Sequence, residues 1–387
     1  MKPKRKHPVI RWMIPLVLLS ICTVGCHPNH NDLNADNLQD EYRLKNIYTI
    51  KEFGKSLDWS CQNNLILSAG KQNDGYYDVY VMKPDGTNLQ YLTHNREGCP
   101  QKHNGNPVWH PLEDYIVFTA EKEDTPEQDD IWAIPGKGIN CNLWAMTADG
   151  ENFYPLTAYP LSKPAIGVIH PQFSHDGKKL FWAERRYYGN SFGGGWVLKI
   201  ADFYIGVSGP YLENIETFLP GEWNCFYESH DFSKDDKWIL FSGNLIFQQI
   251  WTGLDIYEMN LETNELKRLT ESDDDWDEHA HYSQDGKKIA WMSSTGFYIE
   301  WGDIIGDGWK KYLITELWLM NSDGSEKQRI TYFNEPGYPE YMGDRRVVVS
   351  DSSWSPDGKK IVACVAYSSE VDREQAAGVK IVMIEFE

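Results

Sequence analysis

Ser350–Val365 reads SDSSWSPDGKKIVACV, and its centre, Trp354-Ser355-Pro356-Asp357-Gly358-Lys359-Lys360-Ile361, decides the fold. An aromatic, a few polar residues, Asp-Gly, two lysines and an apolar run describe a β-hairpin. Asp-Gly is expected to supply the positive φ values of a tight turn between twisted strands. The unit returns as FSHDGKKL at Phe173–Leu180 and as YSQDGKKI at Tyr282–Ile289. Eroded copies stand at Phe232–Ile239, Trp109–Ile116 and Trp59–Ile66.

A second element follows at a variable distance: DVYVM (Asp78–Met82), LWAM (Leu143–Met146), DIYEM (Asp255–Met259) and ELWLM (Glu316–Met320). These alternate polar and apolar residues, as half-buried strands do. Further turns follow at Asp85-Gly86, Asp149-Gly150 and Asp323-Gly324. A short strand then ends in Leu92-Thr93, Leu156-Thr157, Leu269-Thr270 or Ile330-Thr331. One repeat is therefore four short antiparallel strands, A to D, in roughly 40–55 residues, the period of a propeller blade.

Six copies of strand A begin near 57, 107, 171, 230, 280 and 352. They predict an all-β, six-bladed β-propeller. Its blades are placed at 57–93, 107–157, 168–219, 229–270, 279–331 and 350–386. The last repeat lacks a strand D, and Ile47–Phe53 (IYTIKEF) precedes the first strand A. The N-terminal strand is thus expected to complete the last blade and close the ring, removing the open edges.

Before the propeller, Lys2, Lys4, Arg5 and Lys6 form a basic start, and Trp12–Val24 is apolar but short for a membrane span. The run ends in Thr23-Val24-Gly25-Cys26. Small residues before a cysteine resemble a bacterial lipobox, with Cys26 as the lipidated residue. An ordinary secretory leader containing Cys26 is the alternative. The expected organisation is a signal peptide over 1–25, a polar tether over 26–46 and the propeller over 47–387. His27 after the cysteine resembles the outer-membrane type. The expected address is the cell envelope, with a lipid-anchored domain in the periplasm or at the cell surface.

The chain of 387 residues has a formal charge of −20. That argues against nucleic acid and against docking on an anionic membrane face. A closed ring is expected to be monomeric. Past Cys26 stand Cys61, Cys99, Cys141, Cys225 and Cys364. In an oxidising compartment this odd number leaves at least one thiol unpaired; a bridge between two of Cys61, Cys99 and Cys141 is left open, and Cys364 reads as a buried thiol.

The WSPDGKKI…LWLMNSDGS…RIT pattern (Trp354–Ile361, Leu317–Ser325, Arg329–Thr331) resembles the WD40-like PD40 repeats of TolB-type six-bladed propellers. The resemblance covers everything after the tether. It implies the fold, and with the leader it implies an envelope binding or scaffold protein. Such a protein would recognise a protein or glycan partner through its loops.

The long insertions Glu121–Asn142, Arg185–Gly195, Gly243–Gly253, Ser294–Thr315 and Tyr332–Val349 all fall at the end where strand A begins. Loops carry function, so that face is the place to look. There His170, His230, His279 and His281 stand beside the acids Glu228, Asp231, Asp277 and Glu278. His279 and His281, two apart in a strand, are expected on one face. Imidazoles with nearby carboxylates suit zinc, manganese or iron. The arrangement is also similar to oligogalacturonate lyases, metal-dependent propellers with a His-x-His pair. That resemblance implies His230, His279 and His281 as metal ligands and His170 as the catalytic base. The alternative is polar channel lining. Trp196, Trp223, Trp251, Trp276, Trp301 and Trp309 lie in or beside the loops, as blade packing or as ligand platforms. No G-x-S-x-G elbow is present, which argues against a prolyl-oligopeptidase type of enzyme.

Overall fold

The Ser-x-Asp-Gly units form hairpins held by their own side chains. The computed structural model describes residues 42–163, 165–187, 195–221, 225–247, 249–272, 274–299 and 311–387. At Ser355–Lys360 the Ser355 amide donates to the Lys360 carbonyl at 2.9 Å, and the Gly358 amide to the Ser355 carbonyl at 2.9 Å. Asp357 Oδ1 accepts from Ser355 Oγ at 2.7 Å and from the Lys359 amide at 3.0 Å. The same Ser-to-Asp bond recurs at Ser174–Asp176, Ser233–Asp235 and Ser283–Asp285. Only the glycine takes the left-handed conformation, at φ 68° for Gly358, 71° for Gly177 and 74° for Gly286. The expectation that Asp-Gly acts as a φ pair is corrected. The aspartate works through its carboxylate, and glycine alone supplies the positive φ. In the eroded copy Asp236 stands in the glycine's place, at φ 57°.

The strands assemble into six four-stranded antiparallel sheets. The N-terminal strand is β1 (Leu44–Lys51). Blade one holds β2 (Lys55–Trp59), β3 (Ile66–Lys71), β4 (Tyr77–Met82) and β5 (Gln90–Tyr91). Blade two holds β6 (Asn104–Trp109), β7 (Tyr115–Glu121), β8 (Cys141–Thr147) and β9 (Phe153–Pro155). Blade three holds β10 (Gly167–Phe173), β11 (Lys179–Tyr187), β12 (Gly195–Gly206) and β13 (Gly209–Phe218). Blade four holds β14 (Tyr227–Phe232), β15 (Trp238–Gly243), β16 (Asp255–Asn260) and β17 (Leu266–Arg268). Blade five holds β18 (Asp277–Tyr282), β19 (Lys288–Ser293), β20 (Glu316–Asn321) and β21 (Gln328–Arg329). Blade six holds β22 (Val347–Trp354), β23 (Lys360–Ser368) and β24 (Ala376–Phe386).

β1 pairs with β24, so the sheet runs β1-β24-β23-β22 and the ring closes as expected. The closing strand begins at Leu44 and ends at Lys51, slightly ahead of the stretch read from sequence. Strands A likewise begin a few residues earlier than their aromatic signal suggests.

The recurring Leu-Thr ending has a physical cause. Thr93, Thr157, Thr270 and Thr331 each accept the amide of a strand C residue at 2.9 Å. Their hydroxyls then reach a polar side chain at the start of strand C, such as Asp78 Oδ1 at 2.7 Å or Glu316 Oε2 at 2.6 Å. A threonine so placed satisfies buried groups on two strands at once. Apolar residues gather at the seams between neighbouring blades. Each of the six boundaries has its own buried cluster, including the seam between blades six and one, where Leu57, Trp59 and Tyr80 meet Val362, Cys364 and Ile381.

Blades are also stapled through strand A. The Trp109 amide donates to Asp58 at 2.7 Å, the Tyr282 amide to Asp231 at 3.0 Å and the Trp59 amide to Ser353 at 3.0 Å. Cys61, Cys99, Cys141 and Cys364 are free thiols, so no bridge forms among the first three. Cys364 is buried, as its apolar strand implied.

Candidate functional site at the axial cavity

Every strand A carries an irregularity at the same place. The register shifts between Lys55 and Asp58, Gly105 and Val108, Ile169 and Gln172, Ser229 and Asp231, Glu278 and His281, and Val349 and Ser352. Such bulges kink a strand and re-aim a side chain. Four of them hold a non-glycine residue in the left-handed region: Ser56 (φ 55°), Asn106 (46°), His170 (48°) and His279 (52°). All four occupy one column of the repeat, three residues before the aromatic. Asp351 shares that column in blade six and Ser229 in blade four.

The bulges build a polar belt around the axis, with one side chain from each blade. Asn106 Nδ2 lies 3.1 Å from Ser56 Oγ and 3.2 Å from His170 Nε2. His170 Nε2 is 3.4 Å from Glu228 Oε1, and His279 Nδ1 is 3.6 Å from the same oxygen. Asp351 Oδ2 completes the circuit by accepting the Leu57 amide of blade one at 2.7 Å. In blade four Glu228 takes the belt position, while Ser229 Oγ donates to the His170 carbonyl at 2.7 Å.

Ser56, His170, Glu228, His279 and Asp351 of the belt line the floor of a cavity of about 1480 Å³ on the long-loop face. All six blades contribute to it. Its wall includes Trp132, Trp196, Trp251 and Trp276 together with Arg185 and Arg346. Arg346 is buried and donates to the carbonyls of Leu313 and Arg373. Trp196 and Trp276 are buried, and Trp251 meets Trp276 edge to face. Trp223, Trp301 and Trp309 lie outside the described residues, as do Cys26 and the tether up to Glu41.

The histidines read from sequence do cluster, but in two directions. His170 and His279 have ring centroids 5.2 Å apart. His230 lies between His279 and His281, at 6.1 Å and 6.4 Å, and its Nε2 is 2.9 Å from Ser242 Oγ. The bulge at His279 breaks the strand alternation, so the His279-x-His281 pair does not share a regular strand face. His281 instead sits 3.9 Å from Asp231 and 3.9 Å from Asp351.

The acids divide in the same way. Asp231 is committed to the Tyr282 and Phe232 amides. Asp277 accepts from Trp291 Nε1 at 3.2 Å, within its own blade. Glu278 accepts from Trp276 Nε1 at 2.5 Å. Glu228 alone reaches His170 and His279 together. Among the described residues, His170, Glu228 and His279 form the group whose ligand atoms all lie within 4.8 Å of one another.

Burial sets the charge states. It pushes His170 down to about 3, with the His279 charge as a further cause. His230 and His279 are also lowered by burial. The carboxyl of Glu228 is pushed well up by burial and by the charges of Glu278 and Asp351. Burial raises Asp277 to about 7 and Glu278 to about 8. For His281 burial opposes the charged form, but Asp351 and Asp231 outweigh it and its pKa is raised. At neutral pH the belt therefore offers neutral imidazoles around a poorly solvated carboxyl.

Sequence reasoning missed Ser56, Asn106 and Asp351. They are not histidines and do not stand beside any. The signal was available in the column three residues before each strand A aromatic.

No protein-family model matches the chain, and no curated protein matches it. Solved structures do. A putative TolB from Agrobacterium tumefaciens matches at 14% identity and a TM-score of 0.50, over 88% of this chain and 97% of that one. The fold is that of a TolB-like propeller. TolB from Acinetobacter baumannii matches at 14% identity and a TM-score of 0.49, over 84% of this chain. The chain spans 64% of the length of that TolB. At such identities the likeness concerns the fold alone.

Proposed function

We propose that this TolB-like propeller is a binding protein of the bacterial cell envelope. In this reading it is tethered through lipid on Cys26 and takes a protein or glycan partner into its long-loop face. The observation that carries it is the axial cavity of about 1480 Å³ to which every blade contributes. A space of that size exceeds the usual small-molecule pocket of roughly 300–1,000 Å³. It suits an extended segment, a chain end or an oligosaccharide. Tryptophan side chains and the arginines Arg185 and Arg346 on its wall would supply stacking and orientation.

The test is capture from native envelope extracts with the wild-type propeller and with Trp251→Ala. A specific partner retained by the wild type and lost by the variant supports the reading. Identical capture by both, with the variant folded, sinks it. The tether is tested separately by labelled fatty acid, which should enter the wild type and not Cys26→Ser.

A second reading is a metal-dependent lyase acting on uronate oligosaccharides. The convergence of imidazoles on Glu228 favours it. Formation of an unsaturated product from such an oligosaccharide is the assay, and its absence with metal supplied removes this reading.

A further inference from the structure

We propose that His170 Nε2, Glu228 Oε1 and His279 Nδ1 form a site for a single divalent ion of the zinc class at the floor of the cavity. The assignment differs from the His230, His279 and His281 set suggested by resemblance. It stands apart from the binding reading, because the ion is measured without any partner.

Distance is the first argument. The two contacts to Glu228 Oε1 are 3.4 Å and 3.6 Å. Hydrogen bonds between such groups run about 2.7–3.2 Å, so both are long. Two ligands on one tetrahedral ion, with bonds of about 2.0–2.2 Å, stand roughly 3.3–3.6 Å apart. The spacing fits a shared ion better than a shared proton.

Satisfaction is the second argument. Glu228 is 4% exposed, and its Oε1 has no hydrogen-bond partner among the described residues. His279 Nδ1 is likewise buried without a hydrogen bond among those residues. Leaving two buried polar atoms so, facing each other, costs roughly 1–3 kcal/mol apiece. An ion between them satisfies both.

Construction is the third argument. His170 and His279 are aimed at Glu228 by bulges that hold both residues left-handed. Non-glycine residues keep that conformation where the surroundings over-determine it, and such sites are often functional. Asn106 supports the arrangement. Its Nδ2 now lies 3.2 Å from His170 Nε2, the position the ion would take. Asn106 keeps Ser56 Oγ at 3.1 Å and the Gly136 amide at 3.2 Å in either case. Three protein ligands at a cavity floor leave the fourth position open to the cavity, the pattern of reactive rather than purely structural zinc sites.

The test uses the full chain, stripped with chelator and titrated with Zn²⁺ against a competing chelator. One equivalent should bind. Glu228→Gln and His279→Ala should each weaken binding more than about 100-fold, beyond what loss of an outer contact costs. His281→Ala, outside the trio, should weaken it less than about tenfold. Metal-free melting curves show which variants still fold. Crystals of the wild type soaked in Zn²⁺ answer independently of any variant. Anomalous density bonded to His170, Glu228 and His279 supports the site. Density at His230 and His281 instead, no bound zinc, or full affinity in a folded Glu228→Gln protein overturns it.

Discussion

The two ends of the propeller are built on opposite rules. At the turn end, the same residues recur from blade to blade: Ser355 and Asp357, Ser283 and Asp285, Ser233 and Asp235, Ser174 and Asp176. At the cavity end, the same backbone irregularity recurs in all six blades, but the residue it presents does not. The belt is Ser56, Asn106, His170, Glu228, His279 and Asp351. Repetition of side chains holds a hairpin. Repetition of a backbone kink with varied side chains builds a site.

Four experiments bear on that contrast. The largest effect is expected from opening the ring. Starting the chain at Phe53 removes β1 and exposes the long edge of β24. Size-exclusion chromatography should then show aggregate in place of monomer. A monomer with unchanged melting would mean that closure is dispensable.

Next is the threonine that ties strand D to strand C. Thr331→Val leaves the Leu317 amide and Glu316 Oε2 without a partner in a fully buried place. Urea unfolding should show a loss of about 2 kcal/mol. At the exposed turn end, Asp357→Ala removes two hydrogen bonds to Oδ1 and should cost only about 1 kcal/mol. If the two losses proved equal, the turn end would be more than a repeated clamp.

The smallest effect is on pH. Burial raises Asp58 and Glu121 to about 7, so the folded state holds protons that the unfolded chain releases near its ordinary carboxylate range. Their contribution is full below the ordinary carboxylate range and is lost progressively between that range and about 7. His103, lowered to about 4 by burial, acts oppositely, but only below the ordinary histidine value of about 6.5. Two carboxyls outweigh one imidazole, so the melting temperature should fall as pH rises from 5 to 7, most steeply above 6.5 where the histidine no longer opposes, and level off above about 8. A rise between pH 5 and 7 would count against neutral buried carboxyls.

The repeat was legible because its signals are residue-specific. Gly358 and Asp357 have distinct jobs in the turn, and Thr331 is one of few residues that can satisfy an amide and a carboxylate together. The ring closure was legible by subtraction, since blade six lacks a strand and Ile47–Phe53 has no other partner. The histidine cluster was half legible. Composition flagged His170, His230, His279 and His281, but strand periodicity wrongly aligned His279 with His281. A bulge is a property of backbone register and has no fixed residue signature. Pro107 and Pro171, just after Asn106 and His170, mark two of the six bulges. Asn106 and Asp351 escaped notice because their chemistry emerges only when six strands meet around one axis.

The pairing of β1 with β24 also dictates an order of events. Among the propeller strands the first made pairs with the last, with some 340 residues between Leu44 and Phe386 that must appear in the meantime. Until the C-terminus arrives, the newborn chain carries an unmatched strand at its head and an unfinished sector at its tail. Those two stretches are therefore where a folding intermediate exposes unpaired strand edges.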